Sequence, residues 1–223
     1  MAIGRHWEWR AFGTLSQRFA RTFANLQLVY GFAWADVVDD YLWIYGSRVN
    51  VKLRTGIEDG LKFKRIEREN EDIELWTENP EDLYPYQDLN DEAFAKLAAD
   101  LSITLPAIPP GVFDRGRALA LLQKAVPPVK VVRVEKRRQT RKFGNSGNAV
   151  KVEIAQISAP QYVCPVGVEN DKDLGNTSSE EQIVAARAAI LSALRELKLD
   201  GEKSLSSMSY LKALGTWASG SSV

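Results

Sequence analysis

The sequence predicts an α+β fold built on eight antiparallel strands, with helices packed against their apolar faces. Two observations carry this. Eight short segments alternate apolar with polar residues at period 2, punctuated by glycines and an Asn-Pro pair. Between and after them lie amphipathic stretches with helical spacing. The 223 residues, 45% apolar and 26% charged, suit one domain with a core that needs no disulfide staple. Residues 1–215 read as that domain and residues 216–223 as a flexible tail.

The chain opens with a strand at residues 6–12, where His6, Glu8 and Arg10 share one face and Trp7, Trp9 and Ala11 the other. The tryptophans read as outer-face packing. Phe19, Phe23, Leu26 and Tyr30 recur at helical spacing, so residues 16–30 read as an amphipathic helix ended by Gly31. A meander of four strands follows at 39–45, 49–55, 61–66 and 72–78, turned by Gly46, Gly56, Gly60 and Asn79-Pro80. Residues 80–88 read as loop. Asn90 caps a helix through Phe94, Leu97 and Leu101, and a proline-rich connector leads to a shorter helix over 115–124 that stops at Pro127-Pro128. Strands at 130–141, 149–157 and 162–169 complete the eight, with 144–147 as a turn. Ser178 and Glu181 form a capping box for a helix carrying Ile183, Ile190, Leu194 and Leu197, closed by Asp200-Gly201. The last apolar knot is Tyr210 to Leu214.

Charge excludes some partners. With 29 Lys and Arg against 29 Asp and Glu, the neutral chain has no bulk attraction to double-stranded nucleic acid or an anionic membrane. No apolar stretch approaches the roughly 20 residues of a membrane span, and Arg5, His6, Glu8 and Arg10 stand where a signal peptide would be apolar. The single cysteine, Cys164, rules out an intrachain disulfide and reads as a small buried hydrophobe in a strand. A reducing, cytoplasmic setting is expected.

The strands carry one apolar and one charged face: Val49, Val51 and Leu53 alternate with Asn50, Lys52 and Arg54, and Leu61 and Phe63 with Lys62 and Lys64. An open sheet with its charged face in water fits this pattern. A closed barrel with the charged faces inward fits it too, since eight strands close around a small ligand. Like charges about 4 Å apart repel by roughly 4 kcal/mol at an effective dielectric near 20. Inward Lys and Arg therefore need a wet interior and a polyanion, and carboxylates among them would hold the divalent cations that accompany phosphates.

Several segments, in order, resemble the CYTH, or triphosphate tunnel metalloenzyme, superfamily. His6-x-Glu8-x-Arg10 sits where that family has an E-x-E-x-K strand, Asp40-Tyr41 where it has a D-x-Y element, and Val51-Lys52-Leu53-Arg54 is similar to its L-R-I-R strand. Leu61 to Lys64, Val134 to Arg138, Val152-Glu153-Ile154, Val168-Glu169 and Ser209 to Leu214 resemble later motifs. The resemblance implies an eight-stranded antiparallel tunnel that binds a triphosphate-containing small molecule and hydrolyses it with Mg²⁺ or Mn²⁺. It implies that Arg10, Lys52, Arg54, Lys62, Lys64, Lys136 and Arg138 hold phosphates, that Glu8, Glu153 and Glu169 hold the metal, with Glu74 and His6 as further candidates, and that Glu8 and Arg10 serve catalysis. Two positions depart from the pattern: His6 replaces a glutamate and Arg10 a lysine. Imidazole suits Mn²⁺ better than Mg²⁺, and Arg does not exchange its proton readily. Two alternatives stay open, a non-catalytic barrel that binds polyphosphate or nucleotide and an interaction module with its charges in water. In the segment 136–138, Lys136 with Arg138, or Arg137 alone, faces inward, because a one-residue slip exchanges the faces.

Overall fold

The computed structural model describes residues 4–29, 34–78, 83–145, 148–171, 174–175 and 177–223. Eight antiparallel strands close into a barrel: β1 (Gly4–Gly13), β3 (Ala35–Trp43), β4 (Val49–Thr55), β5 (Gly60–Asn70), β6 (Ile73–Glu78), β8 (Lys130–Phe143), β9 (Val150–Ala159) and β10 (Val166–Asn170). The order around it is β1-β6-β5-β4-β3-β8-β9-β10, and β10 pairs back onto β1 with Glu8 opposite Glu169. Short strands β2 (Gln27–Leu28), β7 (Leu83–Tyr84) and β11 (Leu205–Ser207) lengthen the edges against β8, β5 and β1.

The apolar faces point outward under five helices, α1 (Gln17–Ala24), α2 (Asp91–Leu101), α3 (Arg115–Leu122), α4 (Glu180–Leu197) and α5 (Tyr210–Ala218). On one flank, Trp7, Trp9, Val152 and Val168 pack with Ile183, Ile190 and Leu194 of α4 and Phe19 and Phe23 of α1. Trp7 also donates its indole N–H to the Ile183 carbonyl at 2.8 Å. On another flank, Val51, Leu53, Leu61 and Phe63 meet Phe94 and Leu97 of α2 and Leu121 and Leu122 of α3. Each such fully buried side chain contributes about 1.5–3 kcal/mol. The third cluster differs, because Phe12, Tyr41, Val132 and Val134 lie on inward-facing positions and pack on Tyr210, Leu214 and Trp217 of α5. One end of the barrel is therefore apolar and plugged by α5, leaving the charged rows in the remainder.

Several local expectations change. The first helix ends at Ala24, with Asn25 as its C-cap, because the Arg141 guanidinium takes the Ala24 and Leu26 carbonyls and Gln27 and Leu28 pair with β8. Tyr30 and Gly31 lie outside the described residues, as do Asn79-Pro80 and part of the 144–147 turn. The capping box is Ser179 with Gln182, one residue after the expected pair, and α4 ends at Lys198 in the left-handed region. The last barrel strand starts at Val166, while Val163 makes an isolated bridge to Ile157 and Cys164 sits half-buried between them. Helix α5 runs past residue 215, with Trp217 buried. Among the described residues no helix is long and apolar enough to cross a membrane.

Candidate functional site

The inward faces enclose a cavity of about 810 Å³. Arg10, Lys52, Arg54, Lys62, Lys64, Lys136 and Arg138 all line it, together with His6, Glu8, Glu153 and Glu169. The register of β8 is resolved. Lys136 sits opposite Val37 and Arg138 opposite Ala35 on the inner face, whereas the Arg137 side chain is 56% exposed beside Asp36. Eight Lys and Arg side chains and five carboxylates line the cavity, so it is electropositive although the chain is neutral.

A buried acid holds two of these cations in place. Asp39 is fully buried on β3; it accepts from the Arg54 guanidinium at 2.7 and 3.0 Å and lies 3.1 Å from the Lys136 ammonium. Burial acts to raise the Asp39 carboxyl, but Lys136, Lys52 and Arg54 outweigh it and hold it well below the usual range. Asp39 escaped the sequence reading, which singled out Asp40. Asp40 instead faces outward onto Arg115 of α3. Lys52 is different: it makes no ion pair among the described residues and lies 5.4 Å from the Tyr41 ring. Burial and the neighbouring Arg54 push its ammonium well below the usual lysine range.

Strand β1 supplies the acidic side of the wall. His6, Glu8 and Arg10 point inward together, as a spacing of two along an extended strand requires. Glu8 Oε1 accepts from Arg10 at 2.7 and 2.9 Å, and Oε2 accepts from Lys64 at 2.6 Å. Burial opposes ionisation of Glu8, but Lys64 and Arg10 prevail and hold it well below its usual range. Arg10 reaches this position because Gly167 faces it; a Cβ there would lie 3.2 Å from the guanidinium carbon. Glu153 accepts from Arg138 at 3.1 Å and from Arg10 at 3.4 Å, and its pKa falls to about 2 because these cations overcome its burial.

A ligand-atom cluster emerges from the same wall. His6, Glu8 and Glu169 offer three atoms within 4.8 Å of one another. The His6 Nε2 is buried without a hydrogen-bond partner, 3.9 Å from an oxygen of each glutamate. Ligand atoms sharing an ion at about 2.1 Å lie roughly 3–4 Å apart, and the two His6–glutamate spacings of 3.9 Å fall in that range. Glu153 stands outside this group, engaged by its two arginines.

Glu74 sits opposite Glu8 on β6 and bonds to Trp76 Nε1 at 3.1 Å, with its Oε1 unpartnered. Burial first, then the charge of Glu8, raises its pKa to about 7. An acid raised in the folded state adds stability below its unfolded pKa, and that stability is lost as pH rises through the folded value. Glu74→Gln is therefore expected to stabilise the chelator-treated protein by about 3 kcal/mol near pH 8 and little near pH 4. Urea titrations at the two pH values check this, and an equal effect at both would contradict it.

Further lining residues escaped the sequence reading: Lys151, Glu78 and Tyr210. Lys151 shares the parity of Glu153, and Glu78 that of Glu74, so the period-2 rule was the available signal. Tyr210 lies on a helix and forms the floor, 5.2 Å from both the Arg10 guanidinium and the Lys136 ammonium.

No family model matches the chain, and no curated protein matches it. Among solved structures, the Hippeastrum protein HpAC1, described as revealing a dominant triphosphatase activity, gives a TM-score of 0.51 at 9% identity, covering 100% of this chain and 98% of that chain. The two share a fold. A candidate adenylate cyclase from Bacillus halodurans and the PH1012 protein from Pyrococcus horikoshii give TM-scores of 0.46 and 0.45 at 13% and 17% identity. They cover 94% and 92% of this chain and 97% and 98% of theirs. The closed antiparallel barrel that the CYTH resemblance implies is the fold found.

Proposed function

We propose that the protein is a divergent CYTH-like hydrolase that binds a triphosphate-containing small molecule in its barrel and cleaves the terminal phosphoanhydride with a divalent metal ion. The observation that supports this most is the plugged, electropositive cavity whose wall also carries a three-atom ligand cluster. Asp39 preorients Arg54 and Lys136 as donors to phosphate oxygens, so little side-chain entropy is lost on binding. Lys52 interacts with Asp39 without a salt bridge to it, so the phosphate supplies its close counterion. Burial and Arg54 lower its proton affinity, which makes it a candidate proton donor in the reaction. A metal ion held by His6, Glu8 and Glu169 would neutralise phosphate charge and activate water when bound. The reading places the protein in the cytoplasm.

One observation favours a second reading, a barrel that binds polyphosphate without turnover. Glu8 and Glu153 are already neutralised by Arg10, Lys64 and Arg138. Phosphate release from tripolyphosphate, with Mn²⁺ or with chelator, separates the two. Hydrolysis is expected to require the metal and to be abolished in Lys52→Met, whereas tight binding with no release under any metal would leave the second reading standing.

A further inference from the structure

The mouth of the barrel carries a carboxylate that the proposed reaction does not use. The turn at 56–59 joins β4 to β5 and brings Glu58 over Arg54, near the end of β4, and Lys62, near the start of β5. Glu58 Oε2 accepts from the Lys62 ammonium at 2.6 Å and lies 3.6 Å from the Arg54 guanidinium. The Glu58 side chain is 49% exposed, against 12% for Lys62 and 4% for Arg54, so the carboxylate covers both cations on their solvent side. Burial acts to raise its pKa, but Lys62 and Arg54 outweigh that and hold it below the usual range, so it is ionised near neutrality. The backbone fixes where it points. The Gly56 N–H donates to Asp59 Oδ1 at 2.7 Å, and Gly56 lies so close to the Asp36 carbonyl that a Cβ would come within 2.5 Å of it. Glu58 itself holds a φ of +55°, a conformation that glycine adopts more readily.

We propose that Glu58 is a resident counter-anion at the mouth, which the outer phosphate of a chain must displace to reach Arg54 and Lys62; this rests on reading the cavity as a phosphate-chain site. Deeper in the barrel, Arg10 and Lys136 flank the Tyr210 floor, and their carboxylate partners are Glu8, Glu153 and Asp39. A single phosphate that settles there leaves the Glu58 contacts intact. A chain long enough to reach the mouth meets donors that already carry a carboxylate, and two anions cannot share them without repulsion. Glu58 therefore weakens long anions selectively and sets a dependence of affinity on chain length.

Titration calorimetry with tripolyphosphate and with orthophosphate tests this, at fixed ionic strength and with chelator present so that nothing is hydrolysed. Asp36→Asn is the charge-matched control: Asp36 borders the same turn, but its side chain is 84% exposed and pairs with the outward-facing Arg137. Glu58→Gln is expected to strengthen tripolyphosphate binding about fivefold and orthophosphate binding less than about twofold, and Asp36→Asn to change either by less than about twofold. The gain is opposite in sign to the loss expected on removing a lining cation. Tripolyphosphate affinity that is unchanged or lower in Glu58→Gln, an equal gain for the two ligands, or an equal gain in Asp36→Asn would overturn the assignment while leaving the phosphate-chain reading in place. Failure of tripolyphosphate to bind both the wild type and Glu58→Gln would overturn that reading and the assignment with it.

Discussion

Asp39→Ala is expected to destabilise the protein by about 3–5 kcal/mol, because it leaves two buried cations without their shared acid. Arg54 is 3% exposed and Lys136 8%, so both cations are largely withdrawn from water. Tyr41 also donates its hydroxyl to Asp39, at 3.1 Å, and loses that acceptor. Asp39→Asn keeps the shape and still removes the charge, so a comparable loss is expected. The pH dependence follows from the depressed pKa. The Asp39 contribution is fully present above its unfolded value of 3.8 and is lost as pH falls toward the folded one. Urea unfolding of the two variants measures this, and losses below about 1 kcal/mol in both would mean that Asp39 is not the anchor of the cationic rows.

Arg10→Ala is expected to weaken tripolyphosphate binding by about 100-fold. Loss of a forked, charge-assisted donor accounts for about 1.5–3 kcal/mol. The remainder comes from Glu8 and Glu153, which Arg10 bridges at 2.7 and 3.4 Å. Without the guanidinium Glu8 keeps only Lys64 and Glu153 only Arg138, so the wall that meets the phosphate is less positive by one charge. Titration calorimetry at fixed ionic strength reads the change. If affinity is unaltered, Arg10 is a structural counterion and the phosphate lies elsewhere.

The barrel was legible because its strands alternate strictly. Val51-Lys52-Leu53-Arg54 cannot expose both faces to one environment, and all eight expected strands appear in the barrel. Closure was not legible from alternation, since an open sheet has the same period; it depends on the β10 to β1 pairing, a contact between distant segments. The cationic lining followed from the period and from the resemblance. The motif match drew attention to Asp40 and not to Asp39, and in a period-2 element a one-residue displacement reverses the face. Tyr210 was beyond strand logic, being delivered by a helix that plugs the barrel end. Likewise, the length of the first helix was decided by Arg141, more than 100 residues away in sequence.

Thermal unfolding in tripolyphosphate, with and without Mn²⁺, tests the central claim that the cavity is a polyphosphate site. A ligand that binds only the folded state adds about 2.7 kcal/mol at a hundredfold excess over its dissociation constant, which raises the midpoint by roughly 5–10 °C in a chain of this size. Such a rise is expected in the wild type, a smaller one in Arg10→Ala, and a decline of both with added salt. A wild-type midpoint unmoved by millimolar tripolyphosphate, with or without the metal, would contradict it.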